Sequence, residues 1–131
     1  MNDTAQAVCE TCLRGSYDGT LNFPQQLGML AGVNVEGYLV DLRTAKQTYY
    51  LPNGDTVTLD AEKSGDAIAP AFTAAGVEAA VRQSQVGEHT YRDFLRKVKA
   101  AGCSAYMVSM MGRRAVYFGR TGETHVEHFP V

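Results

Sequence analysis

Shifted by 68 positions without gaps, the segment from Ala7 to Val57 lies over Ala75 to His125, and eleven pairs are identical. They are Ala7/Ala75, Glu10/Glu78, Arg14/Arg82, Ser16/Ser84, Gly19/Gly87, Leu27/Leu95, Tyr38/Tyr106, Val40/Val108, Tyr49/Tyr117, Gly54/Gly122 and Thr56/Thr124. That is about three times the roughly one in fifteen expected from ordinary residue usage. Conservative pairs keep the same register: Phe23/Tyr91, Leu30/Val98, Leu39/Met107 and Tyr50/Phe118. Such a pattern predicts a tandem duplication of one supersecondary unit, each half covering apolar surface that neither could bury alone.

Each half reads locally in the same way. Asp3 or Thr4 is positioned to cap a first helix to about Arg14, and its counterpart runs from about Thr73 to Ser84, with Gly15 and Gly87 in the loops that follow. Asn22 precedes "FPQQLGMLAG", where Pro24 suits a first turn and Phe23, Leu27 and Leu30 fall at i, i+4 and i+7. Thr90 precedes "YRDFLRKVKAAG", with Asp93 placed for a capping box and Tyr91, Phe94, Leu95 and Val98 as the apolar stripe. Amphipathic helices of this kind need a surface to lie on.

That surface is a sheet. "EGYLVDLR" and "AYMVSMM" alternate with a period of two, setting Tyr38, Val40 and Leu42, or Tyr106, Val108 and Met110, on one face. "TYYLPNGDTVTL" is strand, Asn53-Gly54 turn and strand, and "VYFGRTGETHV" places Thr121-Gly122 at the same point. The expected fold is therefore α+β: two tandem ααβββ repeats with helices packed on antiparallel sheet. We expect a single domain over 1–131, with repeat one at about 3–60, a linker at about 61–72 containing Pro70, and repeat two at about 73–129.

Composition narrows the function classes. Apolar residues are 45% and charged residues 20%, ordinary for a globular domain, and the net charge of −2 gives no general field for polyanions. Nucleic acid is not an expected partner. The N-terminal "MNDTAQAVCE" lacks a secretory signal pattern and no apolar run is long enough for a bilayer, so a cytoplasmic location without membrane association is expected. Three cysteines, an odd number, exclude a complete internal disulfide framework.

Several polar groups invite chemistry. Cys9-x-x-Cys12 lies inside a helix with no preceding strand, and Cys9, Cys12 and Cys103 stand opposite Val77, Ala80 and Val35 in the other half, so buried packing is the better reading. His125-x-x-His128 could complete a zinc set with these thiols, but residues three apart on a strand point to opposite faces. No metal or cofactor is expected. Glu123, His125 and Glu127 alternate beside Arg120, which allows either the solvated face of an edge strand opposite Val126 or a general acid/base group with an anion contact. His125 and Glu127 replace Val57 and Leu59 of the first half, so either the register differs or the face has been freed for another purpose. Arg113, Arg114, Arg120 and Tyr117 are further candidates for binding a small anionic ligand.

The segments "GSYDGTLNFPQQL", "VEGYLVDLRTAKQTYYLPNGD", "VEAAVRQSQVGEHTYRDFLRKVKAAGC" and "GRRAVYFGRTGETHVEHFP" resemble the YbcV-like family of bacterial proteins, a domain-of-unknown-function family sometimes labelled phage envelope protein. The resemblance spans nearly the whole chain and implies a shared fold, but brings no activity, ligand or catalytic residue. Cys9-x-x-Cys12 falls outside the family pattern. The first functional expectation is a non-enzymatic binding or protein-interaction module, as a homodimer or with another protein, using an uncovered sheet face that includes Leu39, Met107 and Met111. The alternative is a small enzyme with His125 as acid/base, Glu123 or Glu127 as its orienter and Arg120 on an anionic substrate.

Overall fold

The computed structural model describes residues 3–129. Two helices, α1 (Asp3–Asp18) and α2 (Phe23–Gly32), precede strands β1 (Gly37–Asp41), β2 (Lys46–Tyr50) and β3 (Thr56–Asp60). Helices α3 (Ala74–Gln85) and α4 (Tyr91–Ala100) then precede β4 (Cys103–Ser109), β5 (Arg114–Gly119) and β6 (Thr124–His128). The strands form one antiparallel sheet in the order β3-β2-β1-β4-β5-β6, so the first strand of each half meets at the centre and the last strands are the two edges. This is an α+β architecture.

Local chemistry explains the elements. Asn22 and Thr90 each form a capping box, with Gln25 and Asp93 respectively, so both second helices start where the sequence places them. Helix α1 continues four residues beyond Arg14, which puts Gly15 within the helix instead of the loop. Packing accounts for a glycine at this place: a Cβ at Gly15 would lie 2.6 Å from Leu21 Cδ1 where the chain folds back.

Alternation decides which face is covered. Tyr38, Val40, Tyr49, Val57, Tyr106, Val108 and Tyr117 project from the sheet into one core with Cys9, Cys12 and Leu30 of the first helix pair and Val77, Phe94 and Val98 of the second. Each such side chain contributes roughly 1.5–3 kcal/mol on full burial, and this stripe is what holds the helices down. The other face, Gly37 of β1 apart, keeps side chains such as Leu39, Thr48, Thr58, Met107, Val116 and Val126 half-buried or exposed. Registers continue across it, so Thr58, Thr48, Leu39, Met107, Val116 and Val126 form one row from edge to edge.

Candidate functional site

The β6 edge is where the polar candidates meet the core. Tyr117 pairs with His125 and Ala115 with Glu127, and because Tyr117 and Ala115 face the helices, His125 and Glu127 do too. This differs from a solvated polar face: Glu127 is only 8% exposed, beneath α3, whereas Val126 is 39% exposed on the opposite side. The register is the same as at the other edge, where Tyr49 pairs with Val57 and Gln47 with Leu59. Between the two alternatives, then, register is unchanged and the side chains differ.

Arg82 of α3 donates from Nη1 to Glu127 Oε1 at 2.8 Å, and the second carboxylate oxygen, Oε2, lies 2.6 Å from His125 Nε2. Burial alone would raise the Glu127 carboxyl's pKa, but the hydrogen bonds from Arg82 and His125 outweigh it and hold the group below the usual carboxylate range. The guanidinium responds oppositely, its pKa raised by the same bond. An ionised carboxylate only accepts, so Nε2 carries the proton and Nδ1 is the imidazole's remaining basic atom. Glu78, one turn before Arg82, completes the cluster: ligand atoms of Glu78, His125 and Glu127 all lie within 4.8 Å of one another. Two carboxylates and an imidazole can ligate a divalent cation, though Arg82 already neutralises one of them.

The other candidates disperse. Strand β6 begins at Thr124, so the alternation does not reach Glu123, whose carboxylate turns back to accept from Thr121 Oγ1. Arg120 donates to the Ile68 carbonyl at 3.4 Å. Arg113 lies over the Phe129 ring and Arg114 donates to the Gly112 carbonyl, both at the opposite end of β5 from Arg120, roughly 17 Å away by strand geometry. Tyr117 is a core residue, tilted against Tyr106 with ring centroids 5.1 Å apart. His128 pairs with Arg114 on the uncovered face, away from His125. Cys9 and Cys12 are buried free thiols on α1, which packs against β3 at the far edge, so the sheet separates them from both histidines. Burial and the neighbouring Cys12 push the Cys9 thiol up to about 12, and burial raises Cys103 to about 11, so neither ionises as a nucleophile near neutrality.

Sequence reasoning passed over Glu78 and Arg82 as site residues, although the pairs Glu10/Glu78 and Arg14/Arg82 marked the helix positions that face a sheet edge. It also passed over His89. Ser84 Oγ lies 2.7 Å from His89 Nε2, a spacing that suggests a nucleophile and its base. Lys97 Nζ, however, lies 3.0 Å from Nδ1 and can only donate, so the Nε2 proton points at the serine. That tautomer is the opposite of an activating one. Burial and Lys97 together lower the His89 pKa, which keeps the ring neutral.

The chain is thus a two-layer α+β protein with a carboxylate–imidazole–guanidinium cluster at one sheet edge. It belongs to a family of proteins of unknown function, DUF1398, whose model matches residues 17–127. It is also similar, at 34% identity over 65 residues, to the uncharacterized proteins Mb2035 of Mycobacterium bovis and MT2067 and Rv2012 of Mycobacterium tuberculosis. The match covers 50% of this chain and 40% of each relative. Among the described residues, no helix is long and apolar enough to cross a membrane.

Proposed function

We propose that this protein is a non-enzymatic binding module that pairs with a second copy through the uncovered sheet face. The observation that supports this most directly is the row Leu39, Met107, Val116 and Val126, in which Met107 and Val126 are each 39% exposed. The first half of that face carries Asp41 and Asp60 with Lys46 between them at one end of the strands, the second Arg114 and His128 at the other end. Six strands at about 4.8 Å and five residues at about 3.3 Å give a footprint of roughly 470 Å² per copy, at the small end for a specific interface. Self-association is therefore weak and concentration-dependent. Sedimentation across a hundred-fold concentration range should show a monomer–dimer equilibrium that Val126→Asp shifts to monomer. A wild type that stays monomeric throughout would remove the reading.

The narrower YbcV-like affiliation and the tandem duplication belong to the same proposal. The duplication is supported by backbone geometry: the described residues with positive φ fall into four pairs 68 positions apart, Gly19/Gly87, Asn34/Gly102, Ala45/Arg113 and Gly54/Gly122. A single domain with a linker at about 61–72 fits this division.

One observation favours a second reading, an enzyme with His125 as acid/base: the 2.6 Å contact that orients its ring on Glu127. Glu127 is then the orienter, and Arg82 takes the place expected for Arg120. Turnover of a panel of chromogenic esters and phosphates that is lost in His125→Ala would carry this reading; no turnover in the wild type would leave the first.

A further inference from the structure

The chain also contains a buried ammonium group with little to hold it. Lys99, in the last turn of α4, is 7% exposed, and among the described residues its one side-chain partner is Ser64, whose Oγ accepts from Nζ at 2.9 Å. A buried cation ordinarily sits against a carboxylate, because desolvation costs more than one neutral hydrogen bond returns. The C-terminus of α4 offers a partial charge of about −0.5, which offsets only part of that.

Lys99 lines a cleft of about 200 Å³ at the corner where β1, β2, the 61–66 segment and α4 meet. Its walls are of two kinds. Val40, Leu42 and Leu95 form an apolar side, while Lys99 and Ser64 form a polar end. The other charges nearby are largely occupied: Arg92 is paired with Glu62, Arg96 with Asp93, and Asp41 accepts from the Arg43 and Thr44 amides.

The matching corner in the other half carries different side chains. Position 31 there is alanine instead of lysine. Phe129, which stands 68 positions beyond Ala61, packs edge-on to Phe23 with centroids 5.5 Å apart, and Arg113, 68 beyond Ala45, lies over it. The architecture thus forms this corner without a lysine at this helix position.

We propose that the cleft binds a small organic monocarboxylate, its carboxylate on Lys99 Nζ and Ser64 Oγ and its apolar tail on Val40, Leu42 and Leu95. Asp41 and Asp66 in its lining balance Lys99 and Lys63, which leaves no net positive field for a dianion, so inorganic phosphate is the discriminating control. This site shares Asp41 with the uncovered sheet face, but its ligand-holding groups, Lys99 and Ser64, lie off that face, so it does not depend on self-association.

The test is titration of the full chain with benzoate, butyrate and phosphate, followed by amide chemical shifts. Benzoate and butyrate should give saturable shifts at Ser64, Leu95 and Lys99, with phosphate at least ten-fold weaker. Lys99→Met keeps the stem and removes the charge, and should weaken benzoate about ten-fold or more, as expected for loss of a charge-assisted hydrogen bond. Ser64→Ala, at an exposed position that leaves the core intact, should weaken it several-fold and provides the test should Lys99→Met not fold. Absence of saturable shifts with either carboxylate overturns the proposal, as does unchanged benzoate affinity in both variants or phosphate binding as well as benzoate.

Discussion

The two edges of the sheet solve one packing problem with different chemistry. At the first edge α1 lies over β3, with Glu10 and Arg14 on the helix and Val57 and Leu59 beneath it, and a groove of about 340 Å³ lined by Glu10, Arg14 and Leu59 stays open between them. At the second edge α3 lies over β6, with Glu78 and Arg82 on the helix and His125 and Glu127 beneath. Strand register and the helix residues are matched, so the molecule contains its own control. A valine and a leucine suffice to build this edge. The ion pair at the other edge, buried at its Glu127 end, is therefore not required by the fold, and its presence calls for a reason beyond packing.

The comparison is broken most severely by removing one partner of the network. Arg82→Ala leaves the Glu127 carboxylate buried with His125 alone and should cost about 1–3 kcal/mol in urea unfolding, discounted because Arg82 itself is half exposed. No loss of stability would mean that the pair is not maintained in solution.

Acid should reveal the same group. The folded Glu127 pKa lies below its unfolded value, so its contribution is fully present above about pH 4.3 and fades as pH falls through the folded value. Wild-type stability should therefore decline in that window more steeply than that of a Glu127→Leu variant, read from unfolding at successive pH values. Parallel curves would contradict this. Converting the second edge into the first, with His125→Val and Glu127→Leu together, should leave stability within about 1 kcal/mol of wild type or raise it. A loss of several kcal/mol would show that the edges are not equivalent. The smallest effect belongs to the first edge, where Arg14→Ala should change stability by no more than about 0.5 kcal/mol, since Arg14 is exposed and Leu59 stands where the other edge has Glu127.

Much of the architecture was readable in advance because it depends on local chemistry. The capping residues Asn22 and Thr90, the Asn53-Gly54 turn and the alternation of Tyr38, Val40, Tyr106 and Val108 each act over a few residues. Gly15 reads as a loop residue by its type, whereas the close approach of Leu21 that calls for a glycine there comes from beyond the window in which a helix end is judged. The candidate site was legible only as an anomaly. Alternation placed His125 and Glu127 together and kept His128 apart, but could not say which side of the edge strand faced the helices. Arg120 and Glu123 are near Arg113 and Arg114 in number and far from them in space because β5 carries its two turns to opposite ends of the sheet.

By itself the sequence determined the elements, their matching order in two halves, and the position at which the halves differ. Those follow from periodicities and turn preferences that each segment carries within itself. The tertiary structure decided that Glu78 and Arg82 belong with His125 and Glu127, that Tyr117 is core, and that Lys99 is buried beside Ser64. Such partnerships join residues some 35 to 49 positions apart, and only the packing of helix on sheet brings them within reach.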